Sequence, residues 1–133
     1  MKEYTDIQSL LRDQNPPEPI YCIYPHIYTE KAQEFLNGFP GRVLYAVKAN
    51  PDPTVMRLLS SAGITHFDCA SLPEIKLAHA IDPQAKKYFM TPVRIRGSAA
   101  IAQKEFNVRH FLVDHLNGLS QLLQEIEPSQ SVI

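Results

Sequence analysis

The chain has 133 residues, which is enough for a single domain with its own hydrophobic core. Of these residues 44% are hydrophobic and 20% are charged, and the formal net charge is −1. Neither sign of charge dominates, so the composition gives no indication of binding to nucleic acid or to an anionic membrane surface.

The first predicted element is an amphipathic helix over residues 7–12, and a proline-rich segment, residues 15–19, follows it. A strand over residues 20–24 and a helix over residues 29–37 come next, with Gly38 as the stop signal. We therefore divide the chain into an N-terminal helix with its linker (residues 1–19) and a main domain (residues 20–133).

From residue 43 onward, predicted strands and helices alternate regularly. The strands cover residues 43–47, 65–69, 87–90 and 110–113, and the helices cover residues 53–61, 72–80, 97–105 and 116–125. Repeated βα units of about twenty-two residues predict an α/β fold with parallel strands. Residues 131–133 begin another apolar run. Because a (β/α)₈ TIM barrel needs ~250 residues, we expect a truncated first half of such a barrel, about four βα units.

The sequence offers little else for localisation or metal binding. No stretch approaches the ~20 apolar residues of a membrane span, and residues 1–6 lack the apolar core of a signal peptide. Cys22 and Cys69 fall on separate predicted strands, so we expect two buried free thiols and a cytoplasmic location. The five histidines lack the spacing of metal ligands, which predicts no metal site.

One lysine stands where chemistry is expected. The apolar run of residues 43–47 leads directly to Lys48, and the strand breaks at Asn50-Pro51. Ligands of parallel α/β folds bind at this carboxyl edge of the strands. An amine in that position can be desolvated and act as a Schiff-base nucleophile, although a lone lysine at a strand end is more often a solvated side chain.

The motifs around this lysine resemble a known family. Tyr45-Ala46-Val47-Lys48-Ala49-Asn50-Pro51 is followed at fixed intervals by Phe67-Asp68-Cys69-Ala70-Ser71-Leu72-Pro73-Glu74, by residues 88–93 and by residues 111–114. Over about residues 20–127 this is similar to the amino-terminal half of the alanine-racemase-fold, pyridoxal-phosphate-dependent decarboxylases of ornithine, lysine, arginine or diaminopimelate. The alanine racemases are less similar, because an acidic residue and a Tyr-Gly pair usually follow their lysine.

The resemblance implies a cofactor, a substrate class and three site residues. Pyridoxal 5'-phosphate would be held by Lys48 as the Schiff-base lysine, with Ala46 and Asp68 as further cofactor-binding residues. The substrate would be a basic L-amino acid such as ornithine or lysine, converted to a diamine and carbon dioxide in polyamine biosynthesis. The full-length enzyme would be a homodimer, and the isolated fragment would be inactive.

Structural roles are also compatible with the residues of the second motif. Asp68 could equally cap or anchor the following turn, whereas Ser71 and Glu74 form a capping-box pattern and are expected to be structural. Two further functions are compatible with the sequence: a catalytically silent decarboxylase-like regulator and a flavodoxin-like binding module. Sequential strand order would favour the barrel, and a 2-1-3-4 order would favour the module.

Overall fold

A computed structural model describes residues 2–133 and shows helices alternating with a parallel sheet. The strands are Tyr45–Ala46 (β1), His66–Cys69 (β2), Lys86–Phe89 (β3) and His110–Phe111 (β4). The helices are Ile7–Gln14 (α1), Pro25–Gly38 (α2), Pro53–Ser61 (α3), Leu72–Ile81 (α4), Ser98–Phe106 (α5) and Leu116–Leu123 (α6). Short 3₁₀ turns cover Val47–Ala49 and Pro128–Gln130. Within residues 2–133, no helix has the length and apolar character required to cross a membrane.

The strands pair in the order β1-β2-β3-β4, and every pair is parallel. Val132 extends this order beyond β4, because its N–H donates to the Arg109 carbonyl (2.7 Å) and its own carbonyl accepts from the Phe111 N–H (3.0 Å). The predicted βα units, their sequential order and the apolar run at residues 131–133 are therefore confirmed. The doubly wound order of a flavodoxin-like module is excluded.

The two faces of the sheet differ in burial. Phe67, Cys69, Phe89 and Phe111 alternate onto one face and are 0–3% exposed in the hydrophobic core. Helices α3 and α4 cover this face with Val55, Met56, Leu59, Ile75 and Ala78. The intervening residues, including Asp68 and Tyr88, belong to the opposite face, which is the inner face of the curved sheet of a barrel.

Local signals explain where the helices begin and end. Asp52 caps α3 by accepting hydrogen bonds from the N–H groups of Thr54 (2.7 Å) and Val55 (3.2 Å). Gly63 follows α3 with φ +108°, and a Cβ there would lie 3.2 Å from the Leu36 side chain. The predicted helix over residues 53–61 and its glycine stop are thus confirmed.

The segment after α6 is held against α5 by two side chains. The Gln103 amide donates to the Glu127 carbonyl (3.1 Å) and accepts from the Glu127 N–H (2.8 Å). The Glu125 carboxylate accepts from the N–H groups of Gly97 (2.8 Å) and Ala99 (3.2 Å), at the beginning of α5. A carboxylate is stabilised there by the unpaired amides and the helix dipole. These bonds place Val132 beside β4.

Several predicted elements are wrong or shorter than expected. Residues 20–24 form no strand, because no strand within residues 2–133 lies alongside to pair with their backbone. Cys22 is consequently exposed instead of buried, although both cysteines are free as expected. The first strand is limited to Tyr45–Ala46, since the backbone turns into 3₁₀ conformation at Val47.

Two isoleucines provide a matched test of this packing. Ile75 is 0% exposed and Ile95 is 84% exposed. We expect Ile75→Val to lower the free energy of unfolding by about 0.5–1.5 kcal/mol, because the lost methylene leaves a gap in the core. Ile95→Val should change it by less than about 0.5 kcal/mol. Urea unfolding followed by circular dichroism measures both, and equal effects would contradict the packing described above.

Candidate functional site

Lys48 lies immediately after β1, at the carboxyl edge of the sheet. The side chain of its neighbour Val47 is 0% exposed in the core under the helices, whereas Lys48 is exposed. The Tyr45 hydroxyl donates to the Asn50 carbonyl (3.1 Å) and ties down the turn that follows. The predicted position of Lys48 at the strand exit is confirmed.

Ala46 and Asp68 share the inner face of the sheet. They are register partners of the β1–β2 pair, and neighbouring residues of parallel strands project to the same side. Asp68 alternates with the buried Phe67 and Cys69, so its carboxylate points away from the helices. Ala46 has the small side chain that the sequence analysis expects beside a cofactor.

The electrostatics connect Lys48 with Asp68. Partial burial raises the pKa of Asp68, the positive charge of Lys48 lowers it, and the negative charge of Glu74 raises it. Within residues 2–133 the ion pairs closer than 4.0 Å are Lys2–Asp13 and Lys31–Glu34. The charges of Lys48 and Asp68 therefore interact, but the two side chains do not form a salt bridge. The amine of Lys48 stays available for a ligand.

The residues after Asp68 are structural, as the sequence predicted. The Ser71 hydroxyl accepts from the Glu74 N–H (3.4 Å), and the Glu74 carboxylate accepts from the Ala70 N–H (2.9 Å). Ser71 is thus the N-cap of α4. Because Ser71 caps this helix, Asp68 is not its N-cap. Of the two structural roles considered for Asp68, anchoring of the turn remains.

Three more residues with chemically useful side chains have structural roles. Burial raises the pKa of the Cys69 thiol to about 12, so it is a packing residue and not a nucleophile. The Arg94 guanidinium donates to the carbonyls of Thr91 (2.5 Å) and Leu112 (2.6 Å) and joins two loops. The helix after β4 begins at His115, whose Nδ1 accepts from the Asn117 N–H (3.1 Å), and not at Asp114.

One cluster was missed by the sequence analysis. His66, Tyr88 and His110 lie on successive strands and meet on the inner face. The histidines were considered only as possible metal ligands. Strand alternation combined with sequential pairing could have brought these three residues together.

Comparison with known proteins places these residues in a family context. A family model described as "Pyridoxal-dependent decarboxylase, pyridoxal binding domain" matches residues 27–133. The lysine/ornithine decarboxylase of Selenomonas ruminantium is 34% identical over 86 residues, which are 63% of this chain and 21% of that protein. The chloroplastic ornithine decarboxylase of Nicotiana glutinosa is 32% identical over 94 residues, which are 68% of this chain and 21% of that protein. The chain thus spans about a fifth of the length of these relatives.

The fold has counterparts among solved structures. The arginine decarboxylase of Paramecium bursaria Chlorella virus, bound to agmatine, superposes with a TM-score of 0.80 and 23% identity. The match covers 90% of this chain and 32% of the viral protein. The parallel sheet and its helices therefore have the fold of the matching part of that larger protein.

The raised pKa of Asp68 predicts a pH-dependent stability effect. Above that pKa the folded chain bears the cost of an ionised, half-buried carboxylate, and below the ordinary value near 3.8 the cost disappears. Asp68→Asn should raise the free energy of unfolding at pH 7, by less than about 1 kcal/mol because water screens the group. At pH 3 the gain should be absent. Urea unfolding at both pH values measures it.

Asp114→Asn is the matched control for this measurement. Asp114 is an exposed aspartate in the loop between β4 and α6. Removing its charge should therefore change the free energy of unfolding little at either pH. A gain for Asp68→Asn that is equal at pH 3 and pH 7 would show that burial of the charge is not its cause.

Proposed function

Because the chain belongs to the pyridoxal-dependent decarboxylases and matches their pyridoxal binding domain, we propose that it forms the cofactor-binding part of an enzyme acting on basic L-amino acids. Lys48 is the residue that attaches the cofactor, and Ala46 and Asp68 contact it. The domain covers residues 20–133 and is the first half of the barrel, preceded by the helix and linker of residues 1–19.

The observation that carries the proposal is the placement of Lys48 beside Ala46 and Asp68. An exposed amine follows β1 at the carboxyl edge, and the small side chain of Ala46 and the half-buried carboxylate of Asp68 belong to register partners on the neighbouring strands β1 and β2. These residue types fit pyridoxal phosphate: the amine could bind its aldehyde carbon, and a small side chain such as that of Ala46 would leave room for its ring. The carboxylate of Asp68 provides a negative charge next to the cationic nitrogen of Lys48.

Pyridoxal phosphate supplies an electron sink for the electron pair released when the substrate loses carbon dioxide. Lys48 would hold the cofactor, a role that requires a flexible primary amine at the mouth of the barrel. Asp68 would bring a negative charge near Lys48 and the cofactor. Residues that grip the phosphate of such cofactors typically follow the seventh and eighth barrel strands.

The relatives support the substrate class. Two of them are a lysine/ornithine decarboxylase and an ornithine decarboxylase. We accordingly propose ornithine or lysine as substrate, and a diamine and carbon dioxide as products. From the family resemblance we further propose a homodimer as the full-length form and a cytoplasmic location. A catalytically silent relative would have no need of an exposed amine at this position.

A fusion protein tests the proposal. This chain can replace the matching segment of the Selenomonas ruminantium lysine/ornithine decarboxylase, which supplies the rest of the barrel. We expect the fusion to release labelled carbon dioxide from ornithine or lysine. Lys48→Arg should lower the release at least about 10³-fold, because a guanidinium cannot bind the aldehyde carbon. Lys104→Arg, an exposed lysine on α5, is the matched control and should have no effect.

Borohydride reduction followed by peptide mapping locates the attachment site in the same fusion protein. Cofactor trapped on Lys48 supports the assignment. Cofactor trapped on another lysine of a folded, active fusion overturns it, and cofactor on Lys48 without carbon dioxide release favours the silent relative.

The isolated 133-residue chain should behave differently. Its inner face and both sheet edges are uncovered, so we expect self-association and no carbon dioxide release from ornithine, lysine or diaminopimelate. Borohydride labelling should be spread over many lysines, because Lys48 is as exposed as they are. Selective labelling of Lys48 with enzyme-like turnover would contradict this expectation.

A further inference from the structure

Three basic side chains contact one tyrosine on the inner face of the sheet, and a fourth lies on the same face. The Tyr88 hydroxyl lies 3.0 Å from Nδ1 of His66 and accepts a hydrogen bond from the Arg42 guanidinium (3.3 Å). The ring of His110 packs against that of Tyr88 with centroids 4.4 Å apart and the ring planes tilted by 36°. Lys86 is the register partner of His66 and lies on the same face. We call Arg42, His66, Lys86 and His110 the basic cluster.

Among the described residues, the charges that act on His66 and His110 are all positive. The ion pairs of residues 2–133 involve none of its members. Asp68 is on the same face, but the charges that act on it are those of Lys48 and Glu74. Burial lowers the pKa of both His66 and His110, and the charges of Arg42 and Lys86 lower them further, with His110 acting on His66 as well. Such uncompensated positive charge attracts an anion.

Space for an anion is present beside the basic cluster. A cavity of about 410 Å³ is bounded by Arg42 and His66 together with Leu36, Gly41, Val43 and Thr65. The guanidinium of Arg42 presents several N–H donors in a fork that matches a tetrahedral oxyanion. A protonated imidazole adds a further charged donor, and charge-assisted hydrogen bonds of this kind are the strong ones.

We propose that the basic cluster binds a small tetrahedral oxyanion, a sulfate or phosphate group, with Arg42 and His66 as its donors. Lys86 and His110 contribute positive charge, and Tyr88 holds Arg42 and His66 in position. Arg42 and His66 precede Lys48 and Asp68 by six and two residues, toward the amino ends of the strands, so the two donors are not residues of the proposed cofactor site. Because a bound anion favours charged imidazoles, binding is accompanied by proton uptake and weakens as the pH rises.

Equilibrium dialysis of the 133-residue chain against labelled sulfate tests the proposal, because sulfate keeps two negative charges between pH 5.5 and pH 7.5. We expect saturable binding of one sulfate per chain at pH 5.5, and roughly tenfold weaker binding at pH 7.5. Arg42→Gln should weaken binding about tenfold at pH 5.5, as expected for the loss of a charge-assisted hydrogen bond. Arg42 is exposed, so this variant should fold.

Arg12→Gln is the matched control, since Arg12 is an exposed arginine on α1, and it should bind sulfate like the original chain. Absence of saturable binding at pH 5.5, or equal weakening by both arginine variants, overturns the proposal. Competition by inorganic phosphate and by glycerol 3-phosphate distinguishes the sources of the anion. If both compete, the site accepts a phosphate ester. If inorganic phosphate alone competes, the site is restricted to the free anion.

Histidine modification gives a second, independent readout. Diethyl pyrocarbonate reacts with neutral imidazoles, and peptide mapping follows each histidine separately. Sulfate should slow the reaction of His66 and His110 several-fold at pH 6.5, while the exposed His26 should react at an unchanged rate. Equal slowing of all histidines would indicate a general effect of the salt and would contradict a local site. The selective protection should be lost in Arg42→Gln.

Discussion

The structure depends on the burial of one face of the parallel sheet. Phe67, Phe89 and Phe111 come from three successive strands and are at most 3% exposed against the helices. Because strand side chains alternate, burial of these aromatics determines which residues reach the other face. A shift of one residue in β2 would bury Asp68 under the helices and expose Phe67. The hydrophobic core thereby positions every polar group considered for function.

The inner face that results has two regions of different charge. At the carboxyl edge Asp68 brings a carboxylate close to the exposed Lys48, so positive and negative groups lie together. At the amino ends Arg42 and Lys86 act on two histidines without a carboxylate among the charges that shift them. Tyr88 belongs to β3, between the strands β2 and β4 that carry these two histidines, and is 6% exposed. A single face of the sheet thus presents two adjoining electrostatic environments.

Much of the fold was predictable from periodicity and turn signals. Helix α3 matches its predicted bounds, and the four strands were located to within a few residues. Those signals are local, because a capping aspartate or a glycine at positive φ acts on its own neighbours. The strand predicted for residues 20–24 is wrong, because residues that favour β-structure do not form a strand without a pairing partner.

The candidate site was predictable to a smaller degree. Lys48 and Ala46 were identified from a motif, whereas the basic cluster was missed because its members come from four separate segments. No local spacing connects Arg42 with His110, and only the register of the sheet brings them together. Likewise, nothing in the sequence near Gly97 indicates that the Glu125 carboxylate would accept hydrogen bonds from the N–H groups at the beginning of α5. Long-range polar contacts of this kind follow from the fold and not from the pattern.

The attachment of residues 125–131 to α5 has a consequence for how the chain can be assembled. Gln103 and Glu125 hold the segment that leads to Val132, so the next strand meets β4 in a defined register. Each strand likewise pairs with the one that precedes it in sequence. The segments that join partner strands, residues 47–65, 70–85 and 90–109, are 16 to 20 residues long, so closing each of them costs less entropy than a pairing across the whole chain. A chain leaving the ribosome can therefore add one strand and one helix at a time, each new unit folding on a surface already formed.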